Sequence, residues 1–158
     1  MSTTTTEASS TDRIEKQVVL KASKNRVWRA ISDSKEFGEW FKMAFDDAFV
    51  EGKTVRGRIT HPGYEHLKAE FFVEKIEAEK YFSYRWHPYA IDPKVDYSSE
   101  PTTLVEFRLE EASGGTKLTI TESGFDRIPL ARRKEAFRMN DSGWTTQAKN
   151  IEAYVEKA

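Results

Sequence analysis

Phe137, Trp144, Ala148, Ile151 and Val155 fall on one stripe of a helix when the chain is read at 3.6 residues per turn. The stripe lies at the end of the chain, after a long series of segments that alternate apolar and polar residues. Ile14 to Ala22 predicts a strand, with Val18 and Leu20 in phase. Ser23 then has the chemistry of a helix N-cap, and Val27, Trp28 and Ile31 follow at helical spacing. Lys35 to Phe41 predicts a second short helix or turn carrying Phe37, Trp40 and Phe41.

Strands follow one another from there. Phe45 to Val50 and Val55 to Thr60 flank Glu51-Gly52-Lys53-Thr54, which predicts a hairpin turn. His66 to Glu77 puts Ala69, Phe71 and Val73 on one face. Tyr81 to His87 sets Phe82, Tyr84 and Trp86 against Tyr81, Ser83 and Arg85. Residues 88–101 carry three prolines and predict a long loop. Thr103 to Glu111 puts Thr103, Val105, Phe107 and Leu109 on one face, and Lys117 to Ser123 does the same for Leu118, Ile120 and Glu122. Pro129 suits the first turn of the last helix, and Asn140-Asp141-Ser142-Gly143 predicts a kink or break in it before Trp144. A sheet with an apolar face, closed by one long amphipathic helix, predicts an α+β domain in which a curved antiparallel sheet of about six to seven strands wraps around that helix.

The 158 residues suffice for one domain that buries roughly 70% of its unfolded surface. Residues 1–12 are polar and of low complexity, so they predict a disordered tail ahead of a single domain at 13–158. Aromatic residues make up 13% of the chain, which predicts a core built from rings. The 25 Lys and Arg nearly balance the 26 Asp and Glu, so charge gives no reason to expect a nucleic-acid partner. With no cysteine, disulfides, thiolate zinc sites and cysteine-held iron–sulfur clusters are excluded, and a reducing, cytoplasmic setting is expected. No apolar run approaches the ~20 residues of a membrane-spanning helix.

The order strand, two short helices, antiparallel strands, long helix resembles the helix-grip fold of the START-like superfamily. Val27-Trp28-Arg29-Ala30-Ile31, Phe37-x-x-Trp40-Phe41, Phe82-Ser83-Tyr84-Arg85-Trp86, Thr119-x-Thr121-Glu122-Ser123-Gly124-Phe125 and Gly143-Trp144 narrow the likeness. Together they resemble the single-domain homologues of the activator of the ninety-kilodalton heat-shock chaperone ATPase, over about residues 13–157. That superfamily includes lipid binders, aromatase/cyclase enzymes and co-chaperone domains, so the resemblance implies a cavity or an interaction surface without choosing between them.

Familiar catalytic patterns fail. His61, His66 and His87 lack the i, i+4 spacing of a helical zinc site. Gly52-Lys53-Thr54 looks like the end of a phosphate loop, but Asp47 stands where that loop needs glycine. No serine sits in a glycine-flanked elbow, and no motif calls for a cofactor or a metal. Glu122 stands out because its strand phase points it inward, where a carboxylate is costly unless paired. It is read as a polar group on a cavity wall, a strand-end residue near solvent, or the ion-pair partner of an arginine such as Arg85. Trp40, Phe71, Tyr84, Trp86, Phe137 and Trp144 are read either as the lining of an apolar pocket or as a filled core. Arg132-Arg133-Lys134 reads as a solvated helix face.

The expected function is non-catalytic binding of a small hydrophobic, amphipathic or aromatic molecule between sheet and helix. The candidate contacts are the six aromatics and Glu122. A co-chaperone-like interaction module with a chaperone partner is the alternative, and a cyclase- or hydrolase-type enzyme the second.

Overall fold

The computed structural model describes residues 12–92 and 94–156. The expected tail therefore falls, apart from Asp12, outside the described residues. Strand β1 (Arg13–Leu20) is followed by helices α1 (Lys24–Ser32) and α2 (Ser34–Phe41). Six strands come next: β2 (Met43–Phe45), β3 (Thr54–Ile59), β4 (Lys68–Glu77), β5 (Tyr81–Trp86), β6 (Thr103–Ala112) and β7 (Gly115–Ser123). A 3-10 turn (Phe125–Arg127) leads into α3 (Leu130–Glu156). The seven strands form one antiparallel sheet in the order β1-β7-β6-β5-β4-β3-β2. β2 to β7 are a meander of neighbours, and β1 returns beside β7. The sheet curves around α3, which is the helix-grip α+β architecture.

Local chemistry explains the element boundaries. Ser23 Oγ accepts from the Arg26 amide at 3.2 Å, and Asp33 Oδ1 accepts from the Lys35 amide at 2.9 Å, so both short helices start on side-chain caps. α2 ends on Lys42 with φ of 66°, and the chain turns at once into β2. Gly38 makes that turn fit: a Cβ there would lie 2.2 Å from the Met43 carbonyl oxygen. The expected strand at 45–50 is corrected to Met43–Phe45. Asp46 and Asp47 disfavour a strand, and the segment loops out while Phe49 folds back into the core. The expected break at Asn140–Gly143 is also corrected, since α3 runs unbroken from Leu130 to Glu156. Packing along its inner face outweighs the poor propensity of those four residues.

Asp12 Oδ1 accepts from the Asp126 amide at 2.9 Å, and the Asp12 carbonyl accepts from the Gly124 amide at 3.1 Å. These bonds fix the start of β1 to the 3-10 turn.

The core is an interlocked set of rings between the sheet and the helices. Phe37, fully buried on α2, lies 4.7 Å from the Trp40 ring, 5.5 Å from Phe49, 5.8 Å from Phe71 and 5.9 Å from Phe107. α3 closes this layer with Ala136, Trp144, Ile151 and Val155. Polar ties hold the helix in register. Lys16 pairs with Asp141 at 2.9 Å, Gln147 donates to the Phe41 carbonyl at 3.2 Å, and the Tyr154 hydroxyl donates to Glu36 at 3.2 Å.

Phe37→Ala removes the ring that α2 plants between α3 and four strands. It should cost about 3–5 kcal/mol in urea melts, the range for aromatic truncations in a packed core. A loss below about 1 kcal/mol would mean that the neighbouring rings collapse into the space.

Candidate functional site

Glu122 is fully buried near the end of β7 and is the centre of a polar cluster. Its phase with Leu118 and Ile120 turns it inward, as the alternation predicts. β6 runs alongside with Val105 opposite Glu122, which brings Thr103 diagonally next to it on the same face. β5 adds Trp86, opposite Thr103. α3 adds Asn140 and Trp144, one helical turn apart.

Five hydrogen bonds converge on the carboxylate. Oε2 accepts from Trp86 Nε1 at 2.7 Å, Thr103 Oγ1 at 2.6 Å and Asn140 Nδ2 at 3.1 Å. Oε1 accepts from Trp144 Nε1 at 2.7 Å and Asn140 Nδ2 at 2.9 Å. Among the described residues no Lys, Arg or His pairs with it. Arg85, one candidate ion-pair partner, bonds Glu74 at 2.7 Å instead. Nitrogen donors supply four of the five bonds and none of them can accept. A protonated Glu122 would have only the Thr103 hydroxyl to receive its hydrogen, so the cluster is built for the ionised form.

Burial raises the Glu122 carboxyl above its ordinary 4.5, while the bonds from Thr103, Trp86, Trp144 and Asn140 pull it down. Burial also pushes the neighbouring Tyr84 hydroxyl well above its ordinary value, and the Glu122 charge adds to this. Tyr84 is stacked on Phe71 with centroids 3.9 Å apart, and its hydroxyl has no hydrogen-bond partner among the described residues.

A pocket of about 140 Å³ adjoins the cluster, lined by Phe41, Trp86, Met139, Asn140, Gly143, Trp144 and Gln147. Its back wall is therefore made of three of the Glu122 donors. A larger, open groove of about 600 Å³ is lined by Lys24, Lys75, Lys80, Tyr81, Arg108 and their neighbours. It is lined by charged residues and shares none with the Glu122 cluster, so the smaller pocket is the candidate site.

The candidate residues divide. Trp86, Glu122 and Trp144 come together at the pocket. Trp40 is buried and donates to the Ala30 carbonyl at 2.8 Å. Phe71 and Tyr84 are stacked in the core, and half-buried Phe137 packs on Phe125 at 5.1 Å. Asn140, Thr103, Phe41, Met139, Gly143 and Gln147 complete the site without having been candidates. Thr103 was in phase with the inward face of β6, whereas Asn140 was hidden inside the expected kink. Arg132 is no solvated charge: it donates to Glu100 Oε1 at 2.6 Å and to the Pro88 carbonyl at 2.9 Å, and it lies 4.7 Å over the Tyr97 ring. It staples the loop after β5 to α3. His61 stacks on Tyr64, and His87 contacts the Glu100 carbonyl oxygen at 3.1 Å.

Fold and site together define a helix-grip protein of the START-like class. The family described as activator of Hsp90 ATPase homolog 1-like protein matches residues 21–156, and the chain belongs to it. Among solved structures it is similar to protein MLL2253 from Mesorhizobium loti, with 22% identity, a TM-score of 0.72 and coverage of 91% of this chain and 96% of that one. It is also similar to the Aha1 dimer from Colwellia psychrerythraea, with 18% identity, a TM-score of 0.68 and coverage of 91% and 96%. DynU16, from the dynemicin biosynthetic locus, aligns at 20% identity and a TM-score of 0.71, over 92% of this chain and 48% of its own. These likenesses concern the fold. No curated protein matches the chain. No helix among the described residues is long and apolar enough to cross a membrane.

Two predictions follow from the cluster's chemistry. The folded-state value of Glu122 lies above its unfolded value, so its contribution is fully present below about 4.5 and is lost as pH rises through the folded value. The stability of the wild type minus that of Glu122→Gln should therefore decrease between about pH 4.5 and neutrality in urea melts. A difference that stays flat or grows with pH would show the opposite shift. Tyr84→Phe removes a buried hydroxyl that has no partner. It should leave stability unchanged or raise it by up to about 1–3 kcal/mol in the same melts, and a clear loss would reveal a partner for that oxygen.

Proposed function

We propose that the protein binds a small hydrophobic or amphipathic molecule, without catalysis, in the pocket between β5, α2 and α3. The observation that carries this reading is the junction of that pocket with the buried Glu122 cluster. A packed core has no need of a space of about 140 Å³ against a fully enclosed carboxylate. Trp86 and Trp144 supply the apolar contact and Glu122 fixes their orientation. Trp40, Phe71 and Tyr84 serve the site by packing on its walls, Trp40 on Phe41 and the other two on Trp86, while Phe137 packs on Phe125.

The volume sets the size of the guest. A cavity of about 150 Å³ takes a molecule the size of benzene, so this pocket takes one ring or one compact end group, with any remainder lying outside past Met139. A lipid tail or a polycyclic substrate would need the ring core to open. All five hydrogen bonds to Glu122 use it as an acceptor, which supports a structural role for the carboxylate. The cysteine-free chain supports a cytoplasmic setting.

A chaperone-binding module is the second reading, and the ring-filled core favours it. Family membership is compatible with both readings. The two separate on one experiment. Aromatic and amphipathic compounds of one-ring size should shift the indole N–H resonances of Trp86 and Trp144 in amide-detected spectra. Gly143→Leu, whose side chain projects into open space at the pocket, should abolish those shifts while the protein stays folded. Indole signals that ignore every compound tried would leave the interaction module as the better account.

A further inference from the structure

The pocket's electrostatics name its ligand class. The inference rests on the binding reading above and specifies it.

The indole hydrogens beside the pocket are directed away from it. Both indole N–H groups, of Trp86 and Trp144, donate to Glu122 at 2.7 Å. Asn140 Nδ2 donates to both Glu122 oxygens, and Gln147 Nε2 donates to the Phe41 carbonyl at 3.2 Å. The rest of the wall is formed by the Phe41 ring and the Met139 side chain.

The charge behind this lining has the same sign. Glu122 is buried with neutral donors alone, so its negative charge is spread over dipoles and cancelled by no cation. Two of the four side chains that donate to it are the lining tryptophans. An indole that donates to an anion has its positive edge neutralised and its ring face made more negative, which strengthens the attraction for a cation. No Lys or Arg lines the pocket.

The shape agrees. The Phe41, Trp86 and Trp144 rings lie with centroids 5.8–6.0 Å apart and planes tilted by 38–48°, so they stand inclined to one another instead of in a flat stack. Gly143 also lines the pocket, and a Cβ there would meet nothing within 4 Å.

We infer that the pocket binds a small organic cation, a methylated ammonium group seated against Phe41, Trp86 and Trp144 with Glu122 as its charge partner behind the indoles. A tetramethylammonium-sized head matches the volume, and burying its methyl groups against rings is the way aromatic cages hold quaternary ammonium ions.

The test compares choline with 3,3-dimethylbutan-1-ol, which has the same shape with carbon in place of nitrogen and no charge. Each is titrated into the full chain while the Trp86 and Trp144 indole N–H resonances are followed. Choline should bind at least about tenfold more tightly than the neutral isostere, the factor that one desolvated cation–π contact supplies. Glu122→Gln should remove most of that preference. If this variant does not fold, the comparison on the wild type still decides. Equal or tighter binding of the isostere overturns the cation assignment and leaves the apolar-ligand reading standing. No shift with choline overturns the cation assignment too, and the apolar-ligand reading is then decided by the one-ring compounds above.

Discussion

A single carboxylate joins the sheet to its helix. Glu122 comes from β7, and its donors come from β5, β6 and both sides of one turn of α3. Hydrogen bonds to a charged group contribute about 1.5–3 kcal/mol each when formed and cost more when one side is left buried and unpaired. The arrangement is therefore close to all-or-none. It fixes where along its length α3 meets the sheet, since a shift of one residue would carry Asn140 and Trp144 off the carboxylate. Everything lining the pocket is positioned as a consequence: Trp86 from the sheet side, Trp144 and Gly143 from the helix side.

The ring layer does different work. Phe37, Phe71, Tyr84 and Phe107 fill the space that a more open helix-grip protein would leave between sheet and helix. Their burial supplies the hydrophobic driving force for folding, at about 25 cal/mol per Å² of apolar surface. The result is a small site at the edge of a full core. Two features sit together here: the interior is packed, and the pocket bordering the polar cluster is small and walled by rings. Selectivity by charge and size follows more naturally from that combination than accommodation of a long chain.

The fold was legible because its signals are periodic. Strand alternation in β6 and β7 and the stripe on α3 are repeated many times, and the pattern survives local errors. The inward turn of Glu122 was legible for the same reason. Its partners were not. Two of them, Trp86 and Trp144, were candidates as rings, but nothing in a sequence says that an indole N–H will be directed at a particular carboxylate across the sheet. Asn140 was read as part of a break, because Asn, Asp, Ser and Gly are poor helix formers. Tertiary contacts on both sides of that stretch, the Lys16–Asp141 ion pair and the buried Trp144, hold the helix through it. The division of the aromatics into wall and core was also beyond reach, since a ring on the inward face of a strand looks the same in either role. Arg132 shows the converse: a basic run on a helix looked solvated, yet one of its members ties down a loop distant in sequence.

The claim that a charged Glu122 and the pocket act as one unit is tested most directly by the carbon resonance of the Glu122 carboxyl, followed through a pH titration with and without saturating choline. The account predicts a titration above the ordinary 4.5 in the free protein and a lower one with choline bound, because a cation and a proton compete for the same charge. A carboxyl that titrates at its ordinary value, or whose titration ignores choline, would contradict it.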